Sequence, residues 1–267
     1  MNSIIVIPTF NERGNIGRLL VRLLGIEPRV AALVVDDNSA DNTAEVVETL
    51  ASRFPEQVHL MCRPYKLGLG SAYVDGFQRA LMLGPFKYFV QMDGDLSHPP
   101  EVVAELIRRA EWADVVVGSR YMPGGSTSGW SPLRWLLSRG SAWLVRTELG
   151  LELSDPLGGF KCFTRSALER LDFERIRSKG FAFQLEMNWM CHQLGLTVAE
   201  VPIPFGPRAT GRSKMSLSIM WEALNLIGQL KQAPPPSRLP GSVPSLLPDE
   251  SVSFIPAFSE VGKDVLA

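Results

Sequence analysis

Short apolar runs that each end in a polar cluster, separated by stretches of helical periodicity, restrict this 267-residue chain to few architectures. Ser3–Ile7 is rich in Ile and Val and is halted by Pro8; Leu33–Val35, Val58–Cys62, Tyr88–Met92 and Asp114–Val117 repeat the pattern. Between them, Ile16, Leu19, Leu20, Leu23 and Leu24 recur at helical spacing after Asn11, which serves as a cap. Thr43–Phe54 reads as a helix capped by Asn42 (or Asp41), Gly68–Leu83 as a second, and Pro99–Ala110 as a third with proline in its first turn. Strands without polar alternation are buried on both faces. Strands of that kind separated by helices predict an α/β fold with a mostly parallel, doubly wound central sheet.

The second half is less regular. Ser131–Leu149, Ser166–Leu171, Phe181–Leu194 and Ser216–Leu230 read as helices, and Thr197–Pro202 as a strand. From Gln232 to Ala267 the composition shifts. Seven of the 20 prolines fall there, which predicts a disordered tail. A net charge of −1 gives no global basic excess for nucleic acid. Cys62, Cys162 and Cys191 form no CxxC pair, and His59, His98 and His192 have no zinc-ligand spacing. No apolar stretch reaches 18 residues and no secretory leader precedes Ser3, so the expectation is a cytoplasmic, peripheral protein.

In an open parallel sheet, ligands bind at the carboxyl ends of the strands. Four polar clusters sit there: Pro8–Glu12, Asp36–Asp41, Asp93–His98 and Gly118–Arg120. Asp93-Gly94-Asp95 is the sharpest. Two carboxylates at i and i+2 can face one side, glycine lets the backbone bend toward a ligand, and hard oxygens suit Mg²⁺ or Mn²⁺ bridging phosphates. The bland reading is a solvated acidic turn. Asp36 and Asp37 can accept from a ribose or a base edge, or belong to a turn that Asp41 or Asn42 caps into the next helix, a choice that is even at Asp36. Phe10 can lie against a base, with Glu12 accepting from it. Lys66, Arg120, Arg134, Arg139, Arg208 and Lys214 recur near glycines, and each alone reads as an ordinary surface charge. Gly68-Leu69-Gly70 is no dinucleotide fingerprint, because Tyr73 occupies the third glycine position; no P-loop is present.

The ordered series Ile7-Pro8-Thr9-Phe10-Asn11-Glu12, Val35-Asp36-Asp37-Asn38-Ser39, Lys66-x-Gly68-Leu69-Gly70, Met92-Asp93-Gly94-Asp95-Leu96-Ser97-His98-Pro99 and Gly118-Ser119-Arg120-Tyr121 resembles the family 2 glycosyltransferases. Asp155-x-x-Gly158-Gly159-Phe160, Phe183-Gln184-x-Glu186 and Arg208-x-x-Gly211-x-Ser213-Lys214 resemble the dolichol-phosphate (polyprenol-phosphate) mannosyl synthases among them. The resemblance covers about residues 3–220. It implies a GT-A, Rossmann-like domain over 1–231, with a nucleotide-binding half to about 120 and an acceptor and membrane-facing half over 121–231, followed by the tail at 232–267. It implies that Pro8, Phe10, Glu12 and Asp37 line a guanosine pocket, joined by Asp93 and Arg208. Asp93 and Asp95 hold Mg²⁺ or Mn²⁺, with Ser97, where some relatives carry Gln, as a weaker third ligand. Arg120, Arg134, Ser138, Arg208 and Lys214 bind donor and acceptor phosphates, and Asp95, Arg120 and Lys214 are the catalytic set. Leu157 stands where relatives often have Thr, and Lys161 where Arg is common.

The implied reaction is inverting transfer of mannose from GDP-mannose to a polyprenyl phosphate. A phosphate monoester, largely a dianion at pH 7, needs no catalytic base. Three rivals remain: a UDP-sugar donor, a soluble acceptor served by Asp155 or Glu186 as base, and a non-catalytic sugar-nucleotide binder. Trp130, Leu133, Trp135, Leu136, Leu137, Trp143 and Leu144, interleaved with Arg134, Arg139 and Arg146, read either as an interfacial helix or as core; so do Trp221, Leu224 and Leu226. The expected partners are GDP-mannose, the lipid, a membrane surface and a membrane-anchoring protein.

Overall fold

The structure, a computed structural model, describes residues 1–178, 180, 182–206, 217–234 and 253–254, with backbone alone for 217–224 and 253–254. Arg208 and Lys214 lie outside the described residues, as does nearly all of the tail.

The first half is β1 (Ser3–Thr9), α1 (Arg13–Leu24), β2 (Ala31–Asp36), α2 (Thr43–Arg53), β3 (Val58–Cys62), α3 (Leu69–Leu83), β4 (Tyr88–Gln91), α4 (Val103–Arg109) and β5 (Val115–Ser119). The second half is β6 (Ser126–Thr127), α5 (Pro132–Leu149), β7 (Lys161–Thr164), α6 (Arg165–Glu169), α7 (Ala182–Gln193), β8 (Val198–Pro202), β9 (Pro204–Phe205), α8 (Leu217–Gln232) and β10 (Ser253–Phe254). The main sheet has the order β10-β3-β2-β1-β4-β7-β5-β8, and β6 pairs with β9 separately. The expected mostly parallel α/β architecture is present. Strand residues Ile4, Val6, Leu33 and Val35 face one apolar layer with α3 and α7; Ile5, Ile7, Val34 and Val90 face the other with α1 and α4.

Four expectations change. β1 runs through Pro8 to Thr9. Its ladder to β4 ends at Val6, while that to β2 continues to Thr9↔Asp36, so the residue lacking an N–H lies where only one side is paired. Neither Asn11 nor Asn42 caps a helix through its side chain. Both adopt left-handed backbone, at φ 57° and 67°. Glu12 is the N-cap of α1, and Asp41 Oδ1 accepts from the Thr43 N–H at the start of α2. Third, β7 was absent from the sequence reading, yet it runs antiparallel between β4 and β5. Because it points the opposite way, its entering loop (Asp155–Phe160) arrives at the same edge as the carboxyl ends of β1, β2, β4 and β5. Ser253 and Phe254, assigned to a disordered tail, pair antiparallel with Cys62 and Met61.

α3 needs its glycines for close approach. A Cβ on Gly70 would meet the Ser178 carbonyl at 2.2 Å, and one on Gly76 would meet Val6 at 2.4 Å. Gly68 holds φ at +105°, so the Gly68-Leu69-Gly70 run is a helix start packed against its neighbours.

Candidate functional site

The sheet edge carries two adjoining polar groups. In the first, at the ends of β1, β2 and β3, Asp36 is consumed by structure: Thr9 Oγ1 (2.8 Å), Ser39 N–H (2.8 Å) and Ser39 Oγ (2.7 Å) all donate to it. That resolves the even choice at Asp36 in favour of a turn. Asp37 points elsewhere. Its backbone N–H donates to Thr9 O (3.0 Å), and its carboxylate lies 3.0 Å from Arg63 Nη1. Burial pushes the Asp37 carboxyl above its ordinary range, against the pull of Arg63 and of the Gly68 and Leu67 N–H groups. Lys66 Nζ sits 3.8 Å above the centre of the Phe10 ring, and Glu12 Oε2 accepts from Asn15 (2.7 Å). Pro8, Phe10, Glu12 and Asp37 therefore lie at the carboxyl ends of β1 and β2.

The second group follows β4. Gly94 lies against the end of β1, where a Cβ would touch the Pro8 carbonyl and Thr9 at 3.4 Å, so the two groups adjoin. Asp95 Oδ1 accepts from the Ser97 N–H (3.0 Å) and Ser97 Oγ (2.5 Å). Ser97, expected as a weak metal ligand, thus enters as a donor that orients Asp95. The Asp93 N–H donates to His98 Nδ1 (3.0 Å). His98 is buried and stacked on Phe160 at 4.9 Å; burial lowers its pKa against the pull of Asp93 and Asp95, which keeps the imidazole neutral.

Beside this pair, Arg120 is gripped by Asp155: Nε donates to Oδ2 (2.6 Å), Nη2 to Oδ1 (2.7 Å), and the Arg120 backbone N–H to Oδ2 (3.1 Å). Burial opposes the charge on Arg120, but Asp155 outweighs it and raises the pKa; Asp93 adds to the effect. Two donors of the guanidinium that the resemblance assigns to phosphate are thus held by Asp155. Among the described residues Nη1 has no hydrogen-bond partner. Glu200 in turn accepts from Ser154 N–H and Oγ and from Asp155 N–H, fixing the loop before β7. Ser138 is bonded to the Tyr121 hydroxyl (2.5 Å), and Arg134 lies 4.1 Å above the Trp130 ring.

No group of three or more His, Cys, Asp or Glu capable of holding a metal occurs among the described residues. The donors present, two carboxylates of one short turn, fit a hard cation that takes its other ligands from a diphosphate and water. They do not fit a closed protein cage.

The family model for glycosyl transferase family 2 matches residues 4–172, well over half of the chain. The chain belongs to glycosyl transferase family 2. As a family 2 glycosyltransferase it is 40% identical over 223 residues to a polyprenol monophosphomannose synthase of Mycolicibacterium smegmatis, covering 83% of this chain and 84% of that one. It is 39% identical over 224 residues to an undecaprenyl-phosphate mannosyltransferase of Micrococcus luteus (84% and 91% covered). To a dolichol-phosphate mannosyltransferase of Pyrococcus furiosus it is 35% identical over 237 residues (86% and 64% covered). The fold is GT-A-like. It resembles that of glucosyl-3-phosphoglycerate synthase from Mycobacterium tuberculosis bound to Mn²⁺, UDP and glucosyl-3-phosphoglycerate, with TM-score 0.60, 20% identity, and 86% and 78% covered.

In this glycosyltransferase the sequence reading missed Arg63, which is buried and joins Asp37 to Asp75 (3.3 Å) and Ser71 Oγ (2.7 Å). The carboxyl-end rule would have found it, since Arg63 directly follows β3. Lys161, noted only as a departure, starts β7 fully buried, with Nζ donating to Gln184 Oε1 (2.5 Å). Gln184 Oε1 also accepts from Gln91 Nε2 (2.6 Å), which bonds the Gly159 carbonyl as well (2.7 Å). Burial lowers the Lys161 pKa to about 7, against Cys191, Asp155 and Asp93. Between pH 7 and the ordinary value of 10.5 the unfolded chain therefore binds more protons than the folded one, so stability rises with pH there. The cost is complete below pH 7, on the order of 3–5 kcal/mol. Lys161→Met is expected to raise Tm most at pH 6, with a shrinking gain toward pH 10. Thermal melts over that range check this, and a pH-independent difference would refute it.

Proposed function

We propose that the chain transfers mannose from GDP-mannose to the phosphate of a polyprenyl lipid, with inversion at the anomeric carbon. The observation that carries this reading is the state of the two carboxylates a neutral acceptor would need as base. Asp155 is fully buried and tied to Arg120. Glu186 is buried and accepts from the Arg177 and Ser178 N–H groups (3.1 and 2.9 Å). Neither is placed to take a proton. A phosphate monoester brings its own nucleophilic oxygen, because its second pKa is near 6. The names of the bacterial and archaeal relatives agree with a polyprenyl phosphate acceptor and a mannosyl group.

The obstacle is then the approach of two anions. Asp93 and Asp95 would hold Mg²⁺ or Mn²⁺, which would neutralise charge on the departing nucleoside diphosphate. Arg134, Arg120 through Nη1, and Arg208 and Lys214 from the segment outside the described residues would offset the rest. Pro8, Phe10, Glu12 and Asp37 would take the guanine nucleoside. Purified protein with Mn²⁺ or Mg²⁺, polyprenyl phosphate and a panel of labelled sugar nucleotides should form glycolipid from GDP-mannose alone. Product from a UDP-sugar, or only with a soluble acceptor, would replace this reading.

The lipid must be met at a bilayer. Among the described residues no helix is long and apolar enough to cross one. α5 instead exposes Leu133 (66%), Leu136 (62%) and Trp143 (65%), with Trp135 and Leu137, while Ala142, Val145 and Leu149 face the core. Arg134, Arg139 and Arg146 flank these residues, matching an anionic lipid surface. Leu226 of α8 packs in the core, so the second interfacial candidate loses that residue; the side chains of Trp221 and Leu224 lie outside the described residues. Leu136→Glu with Trp143→Glu should cut co-flotation with liposomes rich in phosphatidylglycerol at least tenfold. Unchanged flotation would count against α5 as the docking face.

A further inference from the structure

We propose that Tyr73 is a positioning residue for the cation site: its hydroxyl fixes which oxygen of Asp93 is turned to the cleft. This rests on the reading of Asp93 and Asp95 as metal ligands. Tyr73 is fully buried on α3, and its hydroxyl donates to Asp93 Oδ1 (2.8 Å). The ring has no freedom to leave. It stacks on Phe183 at 5.7 Å with the planes 5° apart, and on Phe77 at 6.0 Å. On the other side the Asp93 N–H is held by His98, itself stacked on Phe160. Asp93 is thus held through its side chain by α3 and through its backbone N–H by His98, five residues on in the same loop. With Oδ1 engaged by the phenol, Oδ2 has no hydrogen-bond partner among the described residues and is the oxygen left for a cation. A carboxylate held this way binds metal without first having to choose a rotamer.

Among the described residues Asp93 is the one partner of the buried Tyr73 hydroxyl. That explains why tyrosine rather than phenylalanine occupies an otherwise aromatic core position.

Tyr73→Phe removes one oxygen and keeps the ring. Titration calorimetry with Mn²⁺ in the presence of GDP should show 10- to 100-fold weaker Mn²⁺ binding, in the range usual for loss of a residue that orients a metal ligand. GDP binding in EDTA, which reads the Phe10 and Asp37 end of the cleft, should be unchanged. Transfer activity should fall at low Mn²⁺ and recover as Mn²⁺ is raised. Wild-type Mn²⁺ affinity in Tyr73→Phe overturns the proposal. So does loss of GDP binding in EDTA, or an activity loss that added Mn²⁺ does not restore, because each makes the role purely structural. If the unaltered protein itself binds no Mn²⁺ with GDP present, the metal reading of Asp93 and Asp95 fails, a result distinct from any behaviour of the variant.

Discussion

Asp95→Asn is expected to lower turnover by about 10²–10³-fold, or more, while the folded chain stays intact. The substitution separates charge from structure. Ser97 needs an acceptor at Asp95, through both its N–H and its hydroxyl, and the amide oxygen of Asn still provides one. What disappears is one of two carboxylate charges on a turn built from Asp93-Gly94-Asp95. In the proposed function a divalent cation would then be held by Asp93 alone, and the leaving diphosphate would meet the incoming phosphate with less positive charge between them. That loss falls on the transition state, where negative charge on the leaving group is greatest, so it shows in turnover more than in nucleotide affinity. Asp95→Ala should have the same catalytic effect with a further stability cost of about 1–3 kcal/mol for the stranded Ser97 donors. Circular dichroism and GDP binding in EDTA report the fold; glycolipid formation reports the chemistry. Near wild-type product formation by folded Asp95→Asn would remove the metal site from the proposed function.

Most of the fold was legible because the strands of a buried parallel sheet are continuous apolar runs, a pattern that local sequence carries in full. β1 through β5 and their helices follow from it. β7 escaped because Lys161-Cys162-Phe163-Thr164 begins with a charge and follows a glycine pair, and nothing local shows that the lysine is buried or that the strand is antiparallel. Gln184, itself bonded to Gln91, accepts from the buried ammonium. The site was legible for a related reason. Ligand-facing residues in this architecture cluster after strands, so Asp37, Asp93 and Asp95 stand out. Partners that act through them do not: Tyr73 and Arg63 sit 20 and 26 residues from the carboxylates they serve, a distance over which sequence spacing carries no information. Asn42 does stand at the N-cap of α2, in left-handed backbone and without a side-chain cap, whereas the cap expected at Asn11 falls to Glu12, because asparagine serves as readily in left-handed turns as at helix starts.

Asp155→Ala should be the most destabilising single change at the site, by about 3–5 kcal/mol, because it leaves the Arg120 guanidinium buried without its counter-charge. Asp155 is fully buried and makes three contacts with Arg120, so solvent cannot replace it. For a chain of this size that is a fall in Tm on the order of 10 °C. The arginine has been read as a catalytic group and the structure shows it as one half of a strut; a double variant decides between them. Arg120→Met with Asp155→Leu replaces the pair by apolar side chains inside a wall of Tyr121, Trp130 and Phe205, whose rings already surround the guanidinium at 5.1–5.4 Å. Buried pairs replaced in this way often regain their stability. The double variant should therefore melt close to the unaltered protein. Its turnover should nevertheless remain about 10²-fold down, because the Arg120 guanidinium, fixed in advance by Asp155, is lost to the developing phosphate charge. A double variant that recovers both melting temperature and turnover would reduce Arg120 to a structural strut. The charge that brings two phosphates together would then fall to the cation, Arg134 and the Arg208–Lys214 segment.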